Sequence, residues 1–445
     1  MVKIYQPKSI KRPAKQSLTL TVERLDLNGD GVAQYQGKPV FVSQALPGET
    51  VQARIVEQKS KYLRAVTTQV NTASDTRIEA ACPHYSQCGG CDLQHVDYAQ
   101  QVTFKQQKVA ELFKRQTKLS QLPWQPPLLS TPWHYRRKAR IGVQYNKAGE
   151  LTLGFRKRQS NVLTGVNSCL VLPENISKLL KPLQGVLATV APSKAIGHCE
   201  YIKAQREVLL LRVLKKLDQQ SLARLADFGQ QHDVQVMLDN GRQVTTLDGE
   251  DAPRLTVDVD GCSLEFGYAD FLQVNAELNE TMVKQAIDWF ELDKSDNVLD
   301  LFCGFGNFSL PMAKRTHCVV GVEGVDAMVE QAQHNARANK LSNCRFYQAD
   351  LNDPNVDWPW LDDYRAQRFN KVLLDPARAG AFGAMQRIVA MNPDSIVYVS
   401  CDPATMSRDS LVLLEHNYRL EKIAIMDMFA QTRHVETMAL FVKVE

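Results

Sequence analysis

The stretch Asn297-Val-Leu-Asp300-Leu-Phe302-Cys-Gly304-Phe-Gly306-Asn307-Phe-Ser309 decides the reading of the fold. It opens on a short, mostly apolar run and turns glycine-rich. The LPMAKR that follows reads as a helix. Strand, glycine loop and helix together open an α/β sheet whose ligands bind at the carboxyl ends of the strands. Gly304 and Gly306 let a ligand approach the backbone. Glu323 ends the next strand, 23 residues after Asp300, where a carboxylate can take both ribose hydroxyls of an adenosine. A dinucleotide fingerprint needs a third glycine at position 309, which is Ser309. No G-x-x-x-x-G-K-[ST] loop for a nucleotide phosphate is present either. Losing the pyrophosphate signature while keeping the ribose acid favours S-adenosylmethionine. The plain alternative is an ordinary strand-to-helix turn.

Toward the C-terminus the alternation continues. DAMVEQAQHNARANK reads as a helix, NKVLLDPARAG and DSIVYVSCDPATMSRD as strands with polar ends, and ALFVKVE as a closing strand. From about residue 263 onward the chain is therefore expected to form an open, mostly parallel, Rossmann-like α/β sheet. Cys401 follows the strand IVYVS, where sites of this architecture lie, and Asp375 ends another strand in the turn DPAR. Glu436, in RHVET, precedes the last strand and is a candidate base. These parts suffice for one reaction. C5 of uracil is a poor nucleophile, but a thiolate added to C6 makes C4–C5 an enolate that can take a methyl group. A base then removes the C5 proton, and elimination frees the cysteine. RNA cytosine-C5 enzymes usually carry a cysteine in a D-A-P-C turn; here that turn is DPAR, which points to uracil. The bland readings are that Glu436 only pairs with Arg433 and that Cys199, Cys262, Cys303, Cys318 and Cys344 are packing residues.

Toward the N-terminus the pattern changes. Residues 17–70 hold five short strand-like runs separated by turns, which suggests a small OB-like barrel. Asp26-Leu-Asn28-Gly-Asp30-Gly31 begins like a calcium loop, but its twelfth position is Gly37 where a bidentate Glu is required, so it reads as a hairpin turn. Residues 94–118 look helical, with Tyr98, Val102, Val109, Leu112 and Phe113 near one stripe and Phe104 opposite. Residues 135–260 alternate strand-like and helical pieces, an α+β region.

Length and composition bound the rest. At 445 residues the chain has room for two or three domains. It has no apolar run of membrane-spanning length, and MVKIYQPKSIKRPAK lacks the apolar core of a secretory signal. A cytoplasmic protein is expected, in which ten cysteines are not a disulfide framework. The net charge of +4 hides two basic blocks. The first fifteen residues carry five Lys/Arg and no acid, and residues 131–160 carry eight against one Glu, beside Trp133, His134 and Tyr135. A polyanion such as nucleic acid suits them; a solvated face is the alternative.

Cys82-Pro-His-Tyr-Ser-Gln-Cys88-Gly-Gly-Cys91 places three cysteines within ten residues, and a thiolate metal site usually takes four ligands. The residues leave the metal open: His84 or His95 completing a zinc site is one solution.

Together FLQVN (271–275), DLFCGFGNFS (300–309), LLDPARAG (373–380), VSCDPAT (399–405) and RHVETMALF (433–441) strongly resemble the RNA (uracil-5-)-methyltransferase family, over the whole chain. The barrel resembles its TRAM domain, and CPHYSQCGGC its iron–sulfur motif. The resemblance implies Cys401 as nucleophile and Glu436 as general base, with Gln273, Phe302, Asn307, Glu323, Asp350 and Asp375 lining the S-adenosylmethionine site. Asp350 departs from the Asn expected there, though either side chain can accept from an adenine amine. It also implies a [4Fe–4S] cluster on Cys82, Cys88, Cys91 and Cys169, and a helix at 94–118 packed on the catalytic domain. The implied division is a TRAM-like barrel at 12–70, a central RNA-binding region with the cluster at 75–262, and a methyltransferase domain at 263–445. Family members with both additions act on 23S ribosomal RNA, so that RNA is the expected partner of a monomeric enzyme, with tRNA as the rival. A TRAM-bearing radical enzyme is disfavoured by the five-residue first gap between the cysteines. A non-catalytic assembly factor is disfavoured by Cys401, Asp375 and Glu436 occurring together.

Overall fold

A computed structural model describes residues 17–353, 358–364 and 368–444. The basic block within residues 1–15 lies outside the described residues. Strict alternation in β1 (Ser17–Thr21) buries Leu18 and Leu20 and exposes Ser17, Thr19 and Thr21. That pattern is the signature of a strand with one wet face. With β2 (Arg24–Leu25), β3 (Gly31–Tyr35), β4 (Lys38–Ser43), β5 (Thr50–Gln58) and β6 (Leu63–Thr72) it forms a sheet in the order β1-β5-β6-β4-β3-β2. The expected barrel region thus has six strands, the extra one being the two-residue β2. Val40, Val42, Val51, Ala53 and Leu63 fill its core. The loop at Asp26 is the expected turn: its carboxylate accepts from the backbone N–H of Asn28 at 2.8 Å and of Asp30 at 2.9 Å.

The predicted helix is α1 (Tyr98–Thr117), with Val109 and Phe113 fully buried. Phe104, the residue off the stripe, is buried with Leu46, Leu93 and Val96. The described chain divides into two compact units. One holds the residues up to Tyr85, Cys91–Phe104 and Gln431–Arg433; the other holds Ser86–Gly90, Lys105–Ala430 and His434 onward.

The larger unit contains two seven-stranded sheets. The first combines β7 (Lys138–Tyr145), β8 (Leu151–Arg156), β9 (Leu163–Gly165), β10 (Ile196–Lys203), β11 (Glu207–Val213), β12 (Gln235–Asp239) and β13 (Val244–Thr245). Helices α2 (Glu174–Ala188) and α3 (Gln219–His232) cover one face through Leu180, Leu183, Leu225 and Phe228. On the other face Ile202, Val208, Leu210 and Met237 join the core of the second sheet. A hairpin of β14 (Leu255–Val259) and β15 (Cys262–Phe266) shares that core.

The second sheet begins after α4 (Ala276–Phe290), whose first turn is capped by Asn275 accepting from Leu278 N–H. Its elements are β16 (Asn297–Leu301), α5 (Ser309–Ala313), β17 (Cys318–Glu323), α6 (Asp326–Ala338), β18 (Cys344–Gln348), β19 (Lys371–Leu374), α7 (Phe382–Met391), β20 (Ser395–Ser400), α8 (Pro403–Glu415), β21 (Tyr418–Met426) and β22 (Glu436–Lys443). All six residues of β20 are buried, as a parallel strand covered on both faces requires. The order is β18-β17-β16-β19-β20-β22-β21, so successive connections diverge between β16 and β19 and open a crevice at their carboxyl ends. The closing strand β22 runs antiparallel and inserts between β20 and β21. Nothing in its sequence announced that insertion, yet it places the start of β22 against the end of β20.

Candidate active site

The glycine loop turns directly off β16. Phe302 N–H and Cys303 N–H both donate to Val322 O, at 2.8 and 3.2 Å. To make that turn Phe302 adopts φ +65°, a left-handed conformation costly for an aromatic residue. Gly306 has φ +99°, and a Cβ there would lie 2.3 Å from Leu310. Gly304 N–H donates to the Glu323 carboxylate at 3.1 Å, and Val325 N–H donates to its other oxygen at 3.1 Å. Glu323 is thus pinned at the end of β17 beside the loop. Asn307 exchanges amide hydrogen bonds with Asn279 of α4 at 2.9 and 3.0 Å. Asp300, invisible as a site residue in sequence, is fully buried beneath the loop and bonded to the Ser309 hydroxyl.

Each sequence-derived residue has a definite place. Asp350 follows β18, Glu323 ends β17, Phe302 and Asn307 follow β16, Asp375 follows β19 and Cys401 follows β20. These are the carboxyl ends of five adjacent parallel strands. Glu436 opens the antiparallel β22. The last ladder pair of β20 and β22 is Ser400 with Thr437, so Cys401 and Glu436 stand next in register. Cys401 is held by the following turn, where Asp402 accepts from Ala404 N–H at 2.9 Å and Pro403 occupies the first helical turn of α8. Gln273 lies before α4 and is fixed through its backbone: its carbonyl accepts from Arg137 Nε at 2.6 Å. On the same loop Phe271 is 70% exposed, an aromatic face the sequence had not singled out.

The electrostatics follow from burial. Burial first, and then the Glu436 and Asp375 carboxylates, push the Cys401 thiol up to about 11, partly offset by Arg378. Burial, reinforced by Asp375, raises Glu436 to about 8. Burial alone raises Asp375 to about 7, and burial dominates in lifting Asp300 to about 7. The thiol therefore needs a nearby proton acceptor, and a carboxyl group near neutrality is suited to that task. Each of these acids holds its proton more tightly folded than unfolded. The stability they contribute is full below the unfolded carboxyl range and is lost as pH rises toward 7 and 8. The denaturant midpoint is thus expected to fall between about pH 5 and about pH 8.5, and to fall less in Glu436→Gln. A midpoint that rises over this range would contradict the assigned direction.

The other cysteines separate into two groups. Cys199, Cys262, Cys303 and Cys344 are buried, while Cys318 is only half-buried, a small departure from expectation. Cys82, Cys88, Cys91 and Cys169 are all half-buried. Among the described residues no group of three or more His, Cys, Asp or Glu is arranged to hold a metal ion. Cys88 forms an isolated bridge with Lys157 of the basic block, and its Sγ accepts from Gly90 N–H at 3.4 Å. A sulfur acceptor of this kind suits a thiolate ligand.

Comparison with known proteins gives the family. The family described as tRNA (Uracil-5-)-methyltransferase matches residues 97–444, and the TRAM domain matches residues 15–68. The chain belongs to the RNA (uracil-5-)-methyltransferase family. This methyltransferase is 43% identical over 457 residues, 97% of each chain, to a protein of Colwellia psychrerythraea named 23S rRNA (uracil(1939)-C(5))-methyltransferase RlmD. It is 44% identical, over 95% of each chain, to the protein of that name from Psychromonas ingrahamii. Among solved structures, the Pyrococcus abyssi tRNA (uracil-54, C5)-methyltransferase in complex with S-adenosyl-L-homocysteine superposes with a TM-score of 0.71. That match covers 96% of this chain and 100% of the other at 22% identity, and so speaks for the fold. No helix of the described methyltransferase is long and apolar enough to cross a membrane.

Proposed function

We propose that the protein methylates C5 of a uracil in 23S ribosomal RNA, at the position named for its relatives, uracil 1939. The observation that carries the chemistry is the register of Cys401 beside Glu436, at the carboxyl end of β20 and next to Asp375. Cys401, deprotonated, adds to C6 of the uracil and leaves an enolate across C4–C5. S-adenosylmethionine, when bound, supplies the electrophilic methyl group. Glu436 then takes the C5 proton, the Cys401–C6 bond breaks and the ring is restored. Glu323 at the end of β17 and Asp350 after β18 are assigned to the ribose and adenine of the donor. Gln273, Phe302, Asn307 and Asp375 complete the lining. Phe302 and Asn307 come from a loop whose glycines leave room for a ligand's close approach.

The target base must leave its stack to reach Cys401, and the exposed Phe271 ring offers it an aromatic face. In the barrel, the Arg64 guanidinium lies 5.6 Å from the Phe41 ring centre and 5.8 Å from that of Tyr62. A cation backed by two rings suits RNA contact. We assign residues 12–70 and 75–262 to RNA binding and 263–445 to catalysis, in a cytoplasmic monomer.

The decisive test uses 5-fluorouracil-substituted 23S RNA with S-adenosylmethionine, resolved on denaturing gels. Fluorine cannot leave as a proton does, so a methylated covalent adduct is expected, and Cys401→Ala is expected to abolish it. An adduct on substituted tRNA alone would overturn the substrate and keep the chemistry.

We further assign a [4Fe–4S] cluster to Cys82, Cys88, Cys91 and Cys169. The half-buried placement of these thiols and the Gly90 N–H on Cys88 Sγ support that assignment. Methyl transfer by this route needs no electron, so the cluster is a clamp on the RNA-binding surface. Cys88→Ser is expected to lose iron and RNA affinity while binding S-adenosylmethionine normally. A folded, iron-free variant that binds RNA like the wild type would sink the clamp.

A further inference from the structure

The loop 271–275 is backed by a cation that has no carboxylate partner among the described residues. Arg137 precedes β7 and is only 7% exposed. Its backbone is tied on both sides: its N–H donates to Val274 O at 2.7 Å, and its carbonyl accepts from Lys203 N–H at 2.7 Å. Its Nε donates to Gln273 O at 2.6 Å. Its Nη2 is buried and has no hydrogen-bond partner among the described residues. Burial alone pulls the guanidinium down to about 10, with no carboxylate offsetting it. Other cations off the surface are provided for: buried Lys105 meets Asp427 at 2.5 Å, and half-buried Lys138 Nζ meets two carbonyls, Tyr268 O and Asp270 O, at 3.0 and 2.7 Å. A desolvated guanidinium left unpaired is costly, and a bound anion relieves that cost.

The surroundings indicate which anion. The 15-residue helix α4 starts at Ala276, immediately after the loop Arg137 supports, and its first N–H groups carry positive partial charge. Arg136 bridges to Asn275 of the same loop, and Arg140 is exposed further along β7. Arg136 and Arg137 thus adjoin the same loop just before β7, while Arg140 is paired with Glu200 at 3.3 Å; two neighbouring cations suit a phosphate of a nucleic-acid chain. We propose that Arg137 seats one phosphodiester of the substrate RNA next to the uracil presented to Cys401. This rests on the RNA-methylating function above and adds a contact to it. A guanidinium fork matches two non-bridging phosphate oxygens, and Nη2 is the donor held in reserve for one of them.

The test uses the full-length protein, a 23S RNA fragment containing the target uracil, and copies of that fragment with a single methylphosphonate at each flanking linkage. Arg137→Gln is expected to weaken RNA binding about ten- to a hundredfold and to reduce the slope of log K against log salt by about 1. Affinity for S-adenosylmethionine, whose lining includes Gln273, should fall by much less than RNA affinity does. One methylphosphonate should weaken the wild type and add nothing to the loss in Arg137→Gln. Wild-type RNA affinity and salt slope in a folded Arg137→Gln would overturn the proposal. So would a loss confined to S-adenosylmethionine binding, which would give the seat to the donor's carboxylate. If Arg137→Gln does not fold, the methylphosphonate scan on the wild type decides: no linkage costing more than about threefold overturns the seat. A wild type that binds the fragment but forms no fluorouracil adduct would refute the methylation reading and leave the seat to be judged by the scan.

Discussion

Glu436→Gln is expected to stop turnover after methyl transfer, leaving the methylated RNA covalently attached to the protein on ordinary, unfluorinated substrate. The reason is positional. Glu436 is 5% exposed and next in register to Cys401, so few groups share its access to the C5 proton. Gln keeps the shape and cannot accept that proton. Losing a general base costs typically about 10²–10⁴ in rate, and here the loss falls on elimination rather than on the methyl-transfer step. Denaturing gels with ordinary 23S RNA and labelled donor read it directly: the shifted, labelled band should accumulate in Glu436→Gln and be scarce in the wild type. Free methylated RNA at the wild-type rate would remove Glu436 from the mechanism. Asp375, whose carboxyl burial raises to about 7, would then be the next candidate.

Lys105→Met is expected to produce the largest loss of stability of any single substitution considered. Lys105 and Asp427 are both wholly buried, and Nζ lies 2.5 Å from Asp427 Oδ1 and 3.2 Å from Phe429 O. Asp427 Oδ2 has no hydrogen-bond partner among the described residues. Removing the ammonium therefore strands a buried carboxylate, at a cost of about 3–5 kcal/mol. The consequence reaches the site through the chain. Asp427 follows Met426, the residue paired with Glu436, and the segment between them is also held by Tyr135 donating to Ala430 O at 3.0 Å. The double substitution Lys105→Met with Asp427→Leu should recover most of the stability, because two apolar side chains of similar volume leave no charge unpaired. Urea midpoints of the two variants check this. A single-variant loss under about 1 kcal/mol would rank the pair with ordinary surface bridges.

The sequence by itself determined much of this protein. Residues 297–309 identified the α/β architecture, because a buried strand, two glycines and a helix start leave few alternatives, and Ser309 with Glu323 narrowed the ligand. Cys401 and Asp375 were legible because in a parallel sheet the residue after a strand faces the crevice, which is a local rule. Phe104, off the helical stripe, left open whether it meets a second surface or the helix is imperfect there; it packs with Leu46, Leu93 and Val96.

Only the tertiary structure decided the rest, and the reason is that the missing facts concern contacts between residues far apart in the chain. That Glu436 meets the end of β20 depends on β22 inserting antiparallel beside it, a pairing that a strand's own residues do not encode. Lys105 reads as an ordinary surface lysine until α1 brings it 322 residues along the chain to Asp427. Arg137 sits in a run of basic residues that looks uniformly solvated. The fold exposes Arg140, buries Arg137 behind Gln273 and leaves its Nη2 without a partner among the described residues. Charge patterning along a chain reports how many cations there are; burial, a property of the packed whole, decides which of them needs an anion.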